Sequence, residues 1–247
     1  MKLVLAVPTY GPVEPKASRY LRASMMWAGN HGVTWVSDAS PDKQTHAAAR
    51  NHVVTEVISA FSEEEVDAIC WVDSDIILAP ESIARLAQYV GKQHPGTGES
   101  MEFVSGVYFQ RGAPHCPLFG TFNEKGRSFS WALEFPIENP EIGPVEGIGF
   151  GFCITSTKML RAMLTSEHAK KWKCGELFEY AEFSEDLTFC IRARQCGFRP
   201  YIDTGVLCGH LGDPAIITVD TFQPFAERLK NAGRIVRVMK PGETVVR

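Results

Sequence analysis

Asp73-Ser74-Asp75 follows directly on Ile69-Cys70-Trp71-Val72, an apolar run with strand character. Open α/β sheets bind ligands beyond the carboxyl ends of their strands. Two carboxylates one residue apart at such an end can turn toward one hard cation, which suits Mg²⁺ or Mn²⁺ with a diphosphate completing the shell. Alone, the tripeptide is as good as an ordinary solvated turn; its place after a buried strand gives it weight. Further along, Glu185-Asp186 follows Ser184 at a helix start, where first-turn carboxylates are stabilised by the helix dipole. His210 stands in Cys208-Gly209-His210-Leu211-Gly212, between glycines that let backbones approach closely.

These residues need a scaffold, and the chain carries its pattern. Lys2 to Val7 is nearly all aliphatic and ends at Pro8, as a strand covered on both faces would. A helical stretch from Lys16 to Asn30 precedes a short strand, Val33 to Val36, closed by Ser37-Asp38-Ala39-Ser40-Pro41. Gln44 to Phe61 keeps helical spacing at Ala47, Val54, Ile58 and Phe61. After the strand Ala68 to Val72, Pro80 opens an amphipathic helix through Ile83, Leu86, Ala87 and Val90 that stops at Gly91. A strand from Phe103 to Phe109 completes a strand-helix alternation over the first 110 residues, the signature of a doubly wound, mostly parallel α/β layer.

The second half is broken by Pro114, Pro117, Pro136, Pro140 and Pro144 before a glycine-rich apolar strand, Val145 to Phe152. Ser184 reads as the N-cap of a helix ending at Gly197, followed by a strand from Arg199 to Ile202 and a segment from Val206 to Gly212. The last thirty residues read as an appended helix and an extended tail. At 247 residues, 45% hydrophobic, 22% charged and net −4, the chain is globular rather than disordered and lacks the bulk positive charge of a nucleic-acid binder. The first segment is too short for a signal-peptide core, and no apolar run approaches the roughly 18 residues of a membrane span. Seven scattered cysteines (Cys70, Cys116, Cys153, Cys174, Cys190, Cys196, Cys208) without a CxxC pair read as reduced core residues of a cytoplasmic protein.

The order of these segments resembles a GT-A glycosyltransferase, most like family 2. The resemblance rests on Val7-Pro8-Thr9-Tyr10-Gly11 ending strand one, the acidic turn at Asp38 and the helix bearing Arg50-Asn51. Asp73-Ser74-Asp75 followed by Pro80, and Ser184-Glu185-Asp186-Leu187 with Gly197 beyond, extend it over roughly residues 1–212. It implies one domain over 1–247, with a nucleotide-sugar-binding half (1–112), an acceptor and catalytic half (113–214) and a C-terminal helix and tail (215–247). Pro8, Thr9, Tyr10 and Asp38 would line the base and ribose pocket of the donor, and Arg50 would neutralise donor phosphate or hold Asp73. Asp73 and Ser74 would face the donor, Asp73 and Asp75 the metal, and His210 would be a further ligand, which favours Mn²⁺ over Mg²⁺. In inverting members an aspartate at the position of Asp186 takes the proton from the acceptor hydroxyl, with Glu185 beside it.

The run Gly147-Ile148-Gly149-Phe150-Gly151 is no Rossmann fingerprint, because it lies late in the chain rather than after the first strand. Its glycines, Gly149 among them, either lay backbone amides against the sugar diphosphate or acceptor, or let strands pack closely. Trp131 and Phe135 fall in the stretch that would form the acceptor site, whereas Trp27, Trp35 and Trp71 read as core. The expected reaction is metal-dependent transfer of a sugar from a UDP- or GDP-sugar to a hydroxyl of a saccharide, or of a modified nucleobase of viral DNA. The cluster Lys170-Lys171-Trp172-Lys173 would serve phosphates or form an exposed helix end. Two alternatives stand beside it: a sugar-nucleotide pyrophosphorylase, and a non-catalytic nucleotide- or carbohydrate-binding module.

Overall fold

The computed structural model describes residues 1–9, 13–41, 43–112, 115–123, 128–132, 134–212 and 216–231. Its elements run β1 (Lys2–Ala6), α1 (Pro15–Asn30), β2 (Thr34–Asp38), α2 (His46–Ala60), β3 (Ala68–Val72), β4 (Ile76–Ile77) and α3 (Ser82–Ala87). β5 (Phe103–Val107), β6 (Phe119–Phe122), β7 (Phe129–Trp131), β8 (Ile142–Pro144), β9 (Gly147–Ile148), β10 (Phe152–Ser156) and α4 (Thr157–Thr165) follow. α5 (Glu185–Gln195), β11 (Tyr201–Leu207), β12 (Gly209–Leu211), β13 (Ile216–Ile217) and α6 (Val219–Asn231) complete the chain order.

Seven strands form the central sheet in the order β2-β1-β3-β10-β5-β11-β8. β1, β2, β3, β5 and β11 point one way, while β10 and β8 run against them. The sheet is therefore mostly parallel and flanked by helices, the architecture of the GT-A fold. Both its faces are covered, which is why every residue of β3 and β5 is buried, Ser105 of β5 included, whose hydroxyl donates to Phe152 O at 2.9 Å. Val4, Ala6, Ile69 and Trp71 pack with residues of α2, α4 and α5, and Leu3, Leu5, Cys70 and Val72 pack with those of α1 and α3. The period-two alternation of a strand sends successive side chains to these two cores. Trp71 is fully buried and its indole N–H donates to Thr155 Oγ1 at 2.8 Å, so its polar edge is satisfied.

Val145 to Phe152 is two strands in different sheets: β9 pairs with β6, and β10 enters the central sheet antiparallel between β3 and β5. After it comes α4, unassigned from sequence although Ser156 caps it by accepting from Met159 N at 3.0 Å. α3 is shorter than its apolar pattern: Pro80 precedes the N-cap position, and residues 88–91 form a turn ending at Gly91, whose φ of 78° suits only glycine well. Ser184 occupies the N-cap of α5 without a capping side-chain bond. Trp27 is exposed on α1 and stacks on His31, because α1 packs inward through the small residues Ala17, Ser24 and Ala28.

Gly197 ends α5 at φ 84°, as expected. Among the described side chains Cys70, Cys116, Cys153, Cys190 and Cys208 are buried free thiols and Cys196 a half-buried one; the side chain of Cys174 lies outside them. Residues 232–247, the expected tail, also lie outside the described residues. No described helix is long and apolar enough to cross a membrane.

Candidate active site

Because β1, β2 and β3 are parallel, their carboxyl ends meet at one edge of the sheet. Pro8 and Thr9 are buried there, and the loops after β1 and β2 are tied by Thr9 N donating to Pro41 O (3.1 Å) and Lys43 N donating to Thr9 O (3.0 Å). Val7 N donates to Ser40 Oγ at 3.1 Å, and that hydroxyl donates to the exposed Asp38 carboxylate. Tyr10 lies outside the described residues. The antiparallel β10 delivers its start to the same edge, where Asp73 N donates to Gly151 O at 2.9 Å.

Arg50, in the second turn of α2, is 1% exposed and joins three carboxylates from distant segments. One guanidinium nitrogen donates to Glu185 Oε1 at 2.8 Å and to Asp186, and the other to Asp73 Oδ1 at 3.2 Å. Its Cζ lies 5.2 Å from the ring centroid of Phe150 and 5.9 Å from that of Phe178. Of its two expected roles, contact with Asp73 is seen directly. Burial alone would lower the guanidinium pKa, but the carboxylates of Asp186, Asp73 and Glu185 hold it above its ordinary value.

Asp186 also accepts from Phe150 N at 3.2 Å on its second oxygen, so the side chain is oriented from two sides. It keeps 19% exposure, enough for a hydroxyl to reach it. Burial pushes Asp186 and Asp73 above the ordinary aspartate range against the opposing charge of Arg50. A buried carboxylate raised in this way is a stronger base than a solvated one. Asn51, next along α2, instead clasps the chain before α5 through Phe178 O (2.8 Å), Leu177 N (3.2 Å) and Phe178 N (3.0 Å).

The second half of the site is organised by β4. This two-residue strand leaves the Asp73-Ser74-Asp75 turn and pairs with β12, setting His210 opposite Ile76 and bonding Leu211 N to Asp75 O at 2.9 Å. His210 Nδ1 lies 2.6 Å from Phe109 O and must carry the proton of that bond. Its Nε2 then faces Asp75 Oδ2 at 3.4 Å, two acceptors that a proton on Nε2 or a cation between them completes. Burial tends to raise the Asp75 carboxyl, but the hydrogen bond and charge of His210 and the charge of Arg111 outweigh it and hold it below the usual range. A hard oxygen and an oriented imidazole nitrogen fit Mn²⁺. Asp73 is turned to Arg50, Ser74 is half-buried in the turn between the two aspartates, and no three His, Cys, Asp or Glu side chains form a metal cage among the described residues. A cation on Asp75 and His210 would therefore take its remaining ligands from the donor and water.

Tyr108 was not visible as a site residue in the sequence. It is buried beside His210, ring centroids 5.6 Å apart, and its hydroxyl accepts from Gly151 N at 2.9 Å. A Cβ on Gly149 would sit 2.0 Å from that hydroxyl, and one on Gly151 2.5 Å from the ring. The N–H of Gly149 bonds Leu118 O at 2.8 Å, so the glycine run here makes room for Tyr108. Gly149→Ala is accordingly expected to destabilise the fold by about 1–3 kcal/mol through overpacking. Chemical denaturation checks it, and an unchanged midpoint refutes the cradle.

Trp131 packs edge-on against Phe129 in the small β7-β6-β9 sheet and stays half-buried, whereas Phe135 packs on Phe109 and Phe119 at the core margin. In the Lys170-Lys173 cluster Lys170 pairs with Glu167, and Trp172 turns inward under the Arg192 guanidinium, 5.2 Å away. It is a helix end made of 3₁₀ turns.

No protein-family model and no curated protein matches this sequence. Among solved structures the chain is similar to A197 from STIV at 16% identity and a TM-score of 0.52, covering 88% of this chain and 94% of that one. It is also similar to the catalytic domain of Drosophila β1,4-galactosyltransferase 7 in complex with xylobiose, at 12% identity and a TM-score of 0.44 over 83% of this chain and 66% of that one. An apo UDP-glucose pyrophosphorylase matches at 7% identity and a TM-score of 0.45 over 94% and 99%. The A197 likeness is one of fold, and the choice of chemistry rests on the side chains described above.

Proposed function

We propose that the chain is a metal-dependent glycosyltransferase that moves a sugar from a UDP- or GDP-sugar to a hydroxyl acceptor with inversion. The observation that carries this reading is the juxtaposition at one sheet edge of a cation seat, Asp75 with His210, and a raised, oriented carboxylate, Asp186. Residues 1–112 hold the donor, with Pro8, Thr9, Tyr10 and Asp38 at the base and ribose; residues 113–214 supply the acceptor side. Asp186 takes the proton of the acceptor hydroxyl as its oxygen attacks the anomeric carbon. Arg50 and Phe150 N hold that carboxylate in place, and Glu185 shares the Arg50 anchor. Asp75 and His210 would hold a divalent ion, which would offset the charge that builds on the departing diphosphate.

A saccharide is the favoured acceptor; the nucleobase alternative has no support, since the Lys170-Lys173 cluster is a helix end with Trp172 turned inward. Buried free thiols fit a reducing compartment such as the cytoplasm. The test is hydrolysis of a panel of UDP- and GDP-sugars with Mn²⁺ and no acceptor. Turnover should disappear with EDTA and fall at least about 100-fold in Asp75→Ala. Full turnover in that variant, or release of pyrophosphate from a nucleoside triphosphate and sugar phosphate, overturns the proposal.

A further inference from the structure

The Asp75 oxygen that faces His210 already carries a positive partner. Arg111 places a guanidinium nitrogen 3.0 Å from Asp75 Oδ2, the same atom that lies 3.4 Å from His210 Nε2. Both contacts descend from one stretch of chain: the carbonyl of Phe109 orients the imidazole, and Arg111, two residues on, reaches the carboxylate. Resting on the reading of Asp75 and His210 as a cation seat, we infer that Arg111 is the exchangeable counter-ion of that seat: it neutralises Asp75 in the metal-free chain and passes to the donor's diphosphate when a divalent ion takes its place.

One carboxylate oxygen does not hold a guanidinium and a divalent cation in the same direction, because the two positive charges repel at contact distance. The Arg111 side chain is 61% exposed, unlike Arg50, so although Asp75 is only 18% exposed the guanidinium can leave it for water at little cost. Finally, the planar fork of a guanidinium matches phosphate oxygens in two-point fashion, so the residue displaced by metal is chemically suited to the anion that arrives with it. The exchange leaves Asp75 neutralised in both states and makes metal and diphosphate binding mutually supportive.

The 247-residue chain and its Arg111→Gln variant are titrated with Mn²⁺ alone, read by the paramagnetic resonance signal of the free ion. UDP is then titrated by calorimetry at saturating Mn²⁺. The variant is expected to bind Mn²⁺ about tenfold more tightly and UDP about tenfold more weakly, the scale of one charge-assisted contact. These opposite signs separate the inference from a merely structural role, which weakens both or neither. Equal Mn²⁺ affinity, or UDP affinity unchanged, overturns the role of Arg111 and leaves the cation seat standing. Absence of Mn²⁺ binding in both chains overturns the seat, and the inference with it.

Discussion

Asp186→Asn is expected to lower kcat for sugar transfer by about 10²- to 10⁴-fold, the range for loss of a positioned general base. The variant should still fold, since the side chain occupies the same space, although its amide offers one oxygen where the carboxylate serves both Arg50 and Phe150 N. Burial disfavours the charged form of Asp186, so the stability of the variant relative to the parent should rise from acid toward neutral pH. The sign follows from the raised pKa: the contribution of such a carboxyl to stability is present below its unfolded pKa and is lost as pH rises through the folded one. The melting point of the variant relative to the parent should therefore be lowest in acid and rise toward neutral pH. Transfer by the parent should fall on its acidic side at a pH above the ordinary aspartate range, and Glu185→Gln, which removes a like charge from beside Asp186, should move that limb to lower pH. Thermal melts and pH-rate profiles on the same preparations check both. A variant that transfers at the parental rate removes Asp186 from the chemistry.

Arg50→Met carries the largest expected stability effect, about 3–5 kcal/mol, the usual consequence of removing one partner of a buried ion cluster. Asp73, Asp186 and Glu185 would be left facing one another with no counter-charge at the centre. Without the charge of Arg50, protonation of Asp73 and Asp186 becomes more favourable in the folded chain, so lowering the pH should restore part of the lost stability, and raising it should deepen the loss. Arg50→Met combined with Asp73→Asn should be less destabilised than the two changes added together, since the second removes a repulsion created by the first. Urea unfolding of the single and double variants measures the coupling. Simple additivity would mean that Arg50 does not act as the shared anchor.

The legible part of the site consists of carboxylates whose local sequence states their setting. Asp73 and Asp75 follow an unbroken apolar strand, and Glu185-Asp186 opens a helix that stops at a glycine. Strand, helix and turn signals act over a few residues, and so β1, α2, β3 and α5 are read with small errors at their ends. Tyr108 and Arg111 give no such signal. A tyrosine among the apolar residues of Phe103 to Phe109 looks like any core residue, and a lone arginine beyond it looks like surface.

The same limit explains the strand misread at Val145 to Phe152. Glycine and apolar residues in one run leave unresolved whether the chain continues or crosses between sheets, and the answer lies in which partner each piece meets, β6 for β9 and β3 with β5 for β10. The sequence by itself determined the α/β layer, the parallel strands and the placing of a carboxylate pair at their ends, because hydrophobic period and helix boundaries are local properties. Only the tertiary structure decided that Arg50 joins Asp73 to Glu185 and Asp186, 135 and 136 residues away along the chain from Arg50, and that the pairing of β4 with β12 returns His210 to Asp75. Those are contacts between segments whose separation along the chain carries no periodicity, and they exist because a buried charge must find its partner and a strand edge its ladder.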